Sequence, residues 1–501
     1  MWVWMAASSV FAGINVIPKP NKITELNGRL ALSSKIELTG TLAGSPHIKT
    51  CVDSLSLIAS DSSTPLRIHI DSYPQGAEEG YQLCVGKDGV QIKATTSAGG
   101  FYALQTLKQL MLFSEDGTIP FIKIKDAPRY SWRGFMLDES RHFFGKKKVK
   151  QLLDTMAMYK LNRFHWHLTD SDGWRIEIKK YPKLTSIGAI GNHTDKKAPS
   201  AFYTQEEIKE IVTYAAQRFI TIIPEIDMPG HAAAAVRAYP EIGGGGSSKH
   251  PDFTFNPASE KTYTFLTDVF TELSGLFPGK WLHFGGDEVH FANKKWIELP
   301  EVKKLMATEK LEDLKGVEHY FNRRMAGVIT SLNRTTVAWD EITEAGLDTD
   351  KTLVMWWRHN KKETLESAFN KNYRVVLCPR VPCYFDFVQD KSHTVGRRWG
   401  GKFGNLTKVY AFPAGLDLVE SQVAGIQANL WTETVVTEKR FDYMIYPRLL
   451  ALGEASWTDA TNKNFNHFEA RLKDHHIPAM KENGVYYFNP FDKEEHPEPK
   501  R

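Results

Sequence analysis

The sequence predicts an α/β protein, a (β/α)8 TIM barrel preceded by a small α+β domain. Three observations carry that prediction. From about residue 129 onward, short apolar, β-rich runs alternate with helical stretches. Eight such runs can be counted, the number that closes a barrel. Polar and aromatic residues gather just past the carboxyl ends of those runs, where barrels of this kind hold their chemistry. A chain of 501 residues exceeds one ordinary core, so two domains are expected, 1–128 and 129–501.

The first domain reads as short alternating strands, 66–70 and 90–94 among them, with polar turns between. Gly99-Gly100 then opens a helix whose apolar residues Phe101, Leu104, Leu107, Leu110 and Met111 follow a 3.6-residue period. A polar, proline-bearing stretch over 124–131 marks the boundary. The barrel strands are expected at 134–137, 163–168, 219–224, 281–284, 336–339, 353–357, 375–378 and 425–430. Helices are expected at 147–159, 204–217, 259–276, 315–331, 364–370 and 442–455. The competing fold, an open doubly wound sheet, would carry a glycine-rich nucleotide loop after its first strand, and none is present. The glycine run 243–246 follows a helical segment and reads as a flexible connector.

Composition narrows the partners. With 63 basic and 59 acidic residues there is no electrostatic case for nucleic acid or a membrane surface. No apolar run is long enough to span a bilayer. Four cysteines make no disulfide framework and no zinc spacing; Cys378 and Cys383 are close enough to pair but are not read as a pair. No cofactor and no metal is expected. The apolar start, residues 1–13, ends in small residues but lacks a basic region; read as a truncated signal peptide, it gives periplasmic or secreted as the expected location.

The strand ends carry the functional signal. They read Asp138-Glu-Ser-Arg141-His142, His165-Trp-His167-Leu-Thr-Asp170, Pro224-Glu225-Ile-Asp227-Met-Pro-Gly-His231 and Gly285-Gly286-Asp287-Glu288, then Trp339-Asp340-Glu341, Trp356-Trp357-Arg358, Tyr384-Phe-Asp386 and Asn429-Leu-Trp431-Thr-Glu433. Taken singly, each is as well explained by packing or a solvated turn. Eight around one rim call for a ligand, because ionisable groups there need partners. Tryptophans, a tyrosine, carboxylates and an arginine suit a sugar ring: aromatic faces pack on its C–H surfaces and charged groups fix its hydroxyls. Adjacent acids in an extended strand would face opposite ways, which does not make an acid–nucleophile pair across one glycosidic bond. At a Gly-Gly bend both could reach one sugar from one side, which fits substrate-assisted hydrolysis.

Four motifs then carry a resemblance: Trp132-Arg-Gly-Phe-Met-Leu-Asp-Glu-Ser-Arg-His-Phe143, His165-Trp-His-Leu-Thr-Asp170, Pro224-Glu-Ile-Asp-Met-Pro-Gly-His231 and His283-Phe-Gly-Gly-Asp-Glu288. In this order and at these spacings the chain resembles the β-N-acetylhexosaminidases of glycoside hydrolase family 20. Val16-Ile-Pro-Lys-Pro20 and the α+β unit resemble that family's non-catalytic domain. The resemblance implies exo-acting, retaining release of terminal β-linked GlcNAc or GalNAc from an oligosaccharide or glycoconjugate, through an oxazolinium intermediate. It implies that Glu288 is the general acid and then base, its neutral form favoured by desolvation and nearby carboxylates. Asp287 would hold and polarise the acetamido nitrogen, and Tyr384 would hydrogen-bond the acetamido oxygen. Trp339, Trp357 and Trp431 would wall the pocket, with Trp357 chosen over its neighbour Trp356 because it precedes Arg358. Arg141, Asp386 and Glu433 would bind ring hydroxyls, while Asp170 and His231 would orient Asp287 and Glu288. Ser171 departs from the family, which often has a second acid there.

Two other classes remain open. His165-x-His167 puts two imidazoles on one strand face, with Asp170, His231 and Asp287 as further ligands, so a metal-dependent barrel hydrolase is one. A non-catalytic carbohydrate-binding barrel is the other, although such a protein should lose its acid first. The loops 241–255 and 388–418 are where substrate choice is expected.

Overall fold

The computed structural model describes residues 14–60, 62–73, 75–114, 116–398 and 403–500; the apolar start read as a leader lies outside them. The chain forms two compact units, one comprising the chain up to Ala127 with Asn466–Ala479, the other Pro128–Phe465 with Met480–Arg501. The segment Asn466–Ala479, assigned with the barrel on sequence grounds, thus packs in the first unit. There the His476 ring meets Phe113 edge-on at 4.6 Å and its Nε2 lies 3.1 Å from the Asn15 carbonyl oxygen.

The first unit is built on one mixed sheet. Its strands are β1 (Lys22–Ala31), β2 (Ile36–Thr39), β3 (Leu66–Ser72), β4 (Tyr81–Gly86), β5 (Gly89–Ala94) and β6 (Thr118–Asp126), in the order β1-β6-β4-β5-β3-β2. Burial alternates along β3 and β5, the period that puts one face on a core. That core is completed by helices Pro46–Ser56 and Ser97–Leu112, the latter capped by Thr96, whose hydroxyl accepts from the amides of Ala98 and Gly99.

The second unit is a closed barrel. Its eight parallel strands are β7 (Trp132–Asp138), β8 (Arg163–His167), β9 (Thr221–Met228), β12 (Trp281–Gly285), β13 (Thr335–Trp339), β14 (Thr352–Trp356), β15 (Arg374–Leu377) and β16 (Val423–Leu430). They are hydrogen-bonded in the cyclic order β12-β13-β14-β15-β16-β7-β8-β9. Helices pack outside through apolar stripes; Glu260–Leu276 buries Tyr263, Leu266, Val269, Phe270 and Leu273, each worth roughly 1.5–3 kcal/mol of transfer free energy as an upper figure. Helix Gln205–Ala216 starts at a capping box between Thr204 and Glu207.

Three expectations are corrected. The third strand begins later and runs further than 219–224: Phe219 has φ +55 and belongs to the preceding turn, while pairing continues to Glu225 and, past an irregularity, Met228. The helix expected over 442–455 is two, Glu438–Ile445 and Arg448–Trp457, because Pro447 has no N–H to continue the first. The glycine run is not a free connector. Gly243–Gly245 forms β10 and pairs with β11 (Thr254–Phe255), and a Cβ on Gly244 would lie 2.4 Å from the Phe255 carbonyl oxygen. Close backbone approach is what glycine permits there. Among the described residues no helix is long and apolar enough to cross a membrane, and Cys378 and Cys383 are unpaired thiols.

Candidate active site

The period-2 rule of a strand decides which residues line the barrel's mouth. Val337 and Trp339 on β13, Leu353, Met355 and Trp357 along and just past β14, and Val376 and Cys378 along and past β15 share one apolar cluster with Tyr384 and Trp431. Trp356 is out of phase and gives its indole N–H to the Lys361 carbonyl instead. Trp357 is therefore the pocket residue of that pair. Its ring lies nearly parallel to Tyr384, centroids 6.3 Å apart, and Tyr384 is 6.1 Å from Trp431, which is 5.9 Å from Trp339. Four aromatic rings thus form a box.

At the end of β12 the backbone turns through left-handed conformations, φ +75 at Gly285, +96 at Gly286 and +54 at Glu288. A Cβ at Gly285 would lie 1.7 Å from Asp227 Oδ1, so no other residue fits. This bend defeats strand alternation and brings both acids to one imidazole: His231 Nε2 lies 3.8 Å from Asp287 Oδ2 and 3.6 Å from Glu288 Oε2. His231 is fixed from behind, its Nδ1 3.0 Å from Asp170 Oδ1. Asp170 also binds Arg141 Nη2 at 2.7 Å and His167 Nε2 at 3.2 Å, and these cations hold its carboxyl well below the usual range against the pull of burial. His231 is raised well above an ordinary histidine because Asp170 and Asp227 outweigh its burial, so it is an imidazolium.

Burial raises both acids, and their surroundings set them apart. Asp287 is buried, its Oδ1 has no partner among the described residues, and burial, reinforced by Glu288 and Glu341, pushes it up to about 8. Burial also raises Glu288, but His231, 3.6 Å away, with Arg141 and Arg397 beyond, holds it below its ordinary range. The physical difference is water: His231 lowers both acids, but the Glu288 side chain keeps 31% exposure, whereas that of Asp287 keeps 11%. Asp227, beside Asp287, is likewise pushed up, by burial and by the cost of placing a second negative charge next to that carboxyl.

The remaining predicted residues lie around this centre. Arg141 is held between Asp170 and Asp138, with its guanidinium 5.0 Å from the Trp431 ring centre. Asp386 is buried with neither oxygen hydrogen-bonded among the described residues, and burial pushes it up to about 7. Arg397 joins it to Glu433, lying 3.3 Å from Asp386 and pairing directly with the Glu433 carboxylate. Trp357 donates its indole N–H to Glu341 at 3.0 Å, and Trp339 donates to Glu225 at 2.9 Å. Beside Ser171, Asp172 lies 3.2 Å from His193 and 3.8 Å from Arg141, with Lys196 also bound.

Several participants were not singled out from sequence. Glu225 and Asp227 could have been found, since they alternate with Ile223 on the inward phase of β9. Arg397 had no local signal; it comes from an irregular loop. The histidines that suggested a metal are committed to a carboxylate. His165 Nε2 and His167 Nδ1 lie 2.9 and 2.6 Å from one oxygen of Glu225, and His283 Nδ1 lies 3.0 Å from the other. Ligand atoms about 2.1 Å from a tetrahedral zinc sit about 3.4 Å apart, so the shorter separations at His165 and His167 are those of hydrogen bonds.

Comparison with known proteins agrees over most of the chain. The sequence profile "Glycosyl hydrolase family 20, catalytic domain" matches residues 130–460 and "Glycosyl hydrolase family 20, domain 2" matches 13–127. A β-hexosaminidase of Porphyromonas gingivalis is 36% identical over 512 aligned positions, covering 95% of this chain and 65% of that protein. The crystal structure of an exo β-N-acetylglucosaminidase from Vibrio harveyi in complex with N-acetylglucosamine superposes with a TM-score of 0.86 at 33% identity, covering 96% of this chain and 79% of the other. A β-N-acetylhexosaminidase structure from Bacteroides fragilis gives a TM-score of 0.84 at 32% identity, with 94% and 96% coverage.

Proposed function

Because the chain belongs to glycosyl hydrolase family 20, we propose that it is an exo-acting, retaining β-N-acetylhexosaminidase, releasing terminal β-linked GlcNAc or GalNAc with the substrate's own acetamide as nucleophile. The observation that carries this is the bend at Gly285-Gly286, which puts Asp287 and Glu288 on the same side of one pocket with His231 Nε2 between them. Two acids on one side cannot flank a glycosidic bond, but they can serve its oxygen and its 2-acetamido group.

Each group then has a task. The box of Trp339, Trp357, Trp431 and Tyr384 takes the sugar's apolar faces and excludes water. Asp386 and Glu433, which keep buried oxygens with no hydrogen bond among the described residues, accept ring hydroxyls, and Arg141 adds donors. The unpartnered Oδ1 of Asp287 receives the acetamido N–H, which steers the acetamide oxygen toward the anomeric carbon; the Tyr384 hydroxyl holds that oxygen. Glu288 donates its proton to the leaving oxygen and afterwards takes one from the water that opens the oxazolinium ring. Retention follows from two displacements at one carbon.

Binding also acts on the two acids. An acetamido N–H on Asp287 favours its anion, and the departing sugar's bulk removes water from Glu288, favouring its acid form. The test of the function compares 4-nitrophenyl β-N-acetylglucosaminide with 4-nitrophenyl β-glucoside, which differ only at C2. Fast release from the first and none from the second is expected; equal rates would remove the acetamide from the mechanism.

A further inference from the structure

One buried carboxylate has no task in that chemistry. Glu225 lies inside the barrel, fully buried, on the inward phase of β9. An ionised carboxylate there is costly unless its lone pairs are met. They are met from two other strands. Oε1 accepts the Trp339 indole N–H at 2.9 Å; Oε2 lies 2.9 Å from His165 Nε2 and 2.6 Å from His167 Nδ1, while His283 Nδ1, 3.0 Å from Oε1, itself accepts the Gly285 backbone N–H. Gln427 donates to the far side of His165 at 3.1 Å, which leaves that ring one proton, on the nitrogen facing Glu225.

Two of these ties lead to the pocket. Trp339 has one polar atom, and Glu225 is its acceptor, so the plane of a pocket wall is set by Oε1. His167 has a carboxylate on each ring nitrogen, Glu225 on Nδ1 and Asp170 on Nε2 at 3.2 Å, and Asp170 is the group that fixes His231. Anions and cations alternate from Glu225 through His167, Asp170 and His231 to Glu288.

We propose that Glu225 is a positioning residue with two separable effects: Oε1 holds Trp339 for sugar binding, and Oε2, through His167, keeps Asp170 and His231 aimed at Asp287 and Glu288 for turnover. Glu225 itself does not touch the sugar. This inference rests on the hydrolase reading above.

The test measures hydrolysis of 4-nitrophenyl β-N-acetylglucosaminide by the wild type, Glu225→Gln, Trp339→Phe and the double variant, with circular dichroism to check folding. Glu225→Gln keeps the shape but turns an N–H₂ toward a group that already donates. It should raise KM and lower kcat, each by about 10-fold or more, as loss of a supporting hydrogen bond does in comparable sites. In the Trp339→Phe background its effect on KM should largely vanish while its effect on kcat persists. The basic limb of the kcat profile should move to lower pH, because His167, faced by Glu225, Asp170, Asp138 and Asp227 and opposed by Arg141 and His165, loses one of its anions. Independent effects on KM in the double variant, or an unmoved limb, would overturn the proposal. If Glu225→Gln does not fold, Glu225→Asp keeps the charge and shortens the reach; it should raise KM and leave the limb in place, and any other pattern counts against the proposal. A wild type inert on this glycoside refutes the hydrolase reading instead. The Trp339 tie is then read from N-acetylglucosamine binding by tryptophan fluorescence, which Glu225→Gln must weaken.

Discussion

Asp287→Asn should make the protein more stable and nearly inactive. The carboxyl of Asp287 holds its proton up to about 8 in the folded protein, against 3.8 when free. The sign follows from proton linkage: between these values the folded state binds the proton and the unfolded state does not, so rising pH favours unfolding. Each pH unit in that window sets the folded state back by about 1.4 kcal/mol, reaching about 4 kcal/mol at pH 7 and about 1 kcal/mol at pH 4.5. Asparagine removes the ionisation and keeps the shape. It also removes the anion that steers the acetamide, for which a loss of about 10²–10³ in kcat is the usual scale for one preorganised polar group. The assay is the urea midpoint of wild type and variant at pH 4.5 and pH 7, alongside hydrolysis of 4-nitrophenyl β-N-acetylglucosaminide. A stability gain that grows with pH, together with lost turnover, is the expected pair. A variant no more stable than wild type at pH 7, or a gain equal at both pH values, would show that Asp287 carries no such burden.

Glu288→Gln should lose about 10²–10⁴-fold in kcat on a disaccharide, whose leaving oxygen needs a proton, and far less on a dinitrophenyl glycoside. It should still bind a thiazoline mimic of the oxazolinium ion; equal losses on both substrates would argue against the acid role. Arg397→Met removes the cation that offsets burial at Asp386, so the Asp386 carboxyl should rise above about 7. If its anion accepts a ring hydroxyl, the acid limb of kcat/KM moves to higher pH; an unmoved limb would take Asp386 out of substrate binding. Gly285→Ala should fail at the site, since its Cβ would fall 1.7 Å from Asp227 Oδ1 at a φ of +75. Near-normal turnover in that variant would mean that the bend is not needed.

The barrel and much of its rim were legible in the chain because their causes are local. Alternation of 337 with 339 and of 353 with 355 and 357 is a two-residue period, so the inward Trp357 follows from the strand alone. The paired glycines before Asp287 announced a turn, and the same alternation places Glu225 and Asp227 inside β9. The charges on these groups were not legible. How each of Asp287 and Glu288 is shifted depends on how far it is sealed from water and on the charges of His231 and Glu341, which stand more than 50 positions away and close on the pocket from other loops. Arg397 shows the same limit, since its reach to Asp386 and Glu433 exists only after strands β15 and β16 are neighbours. Side-chain direction along a strand is determined by sequence spacing; electrostatic environment sums over everything the fold brings near, and only the tertiary structure could decide it.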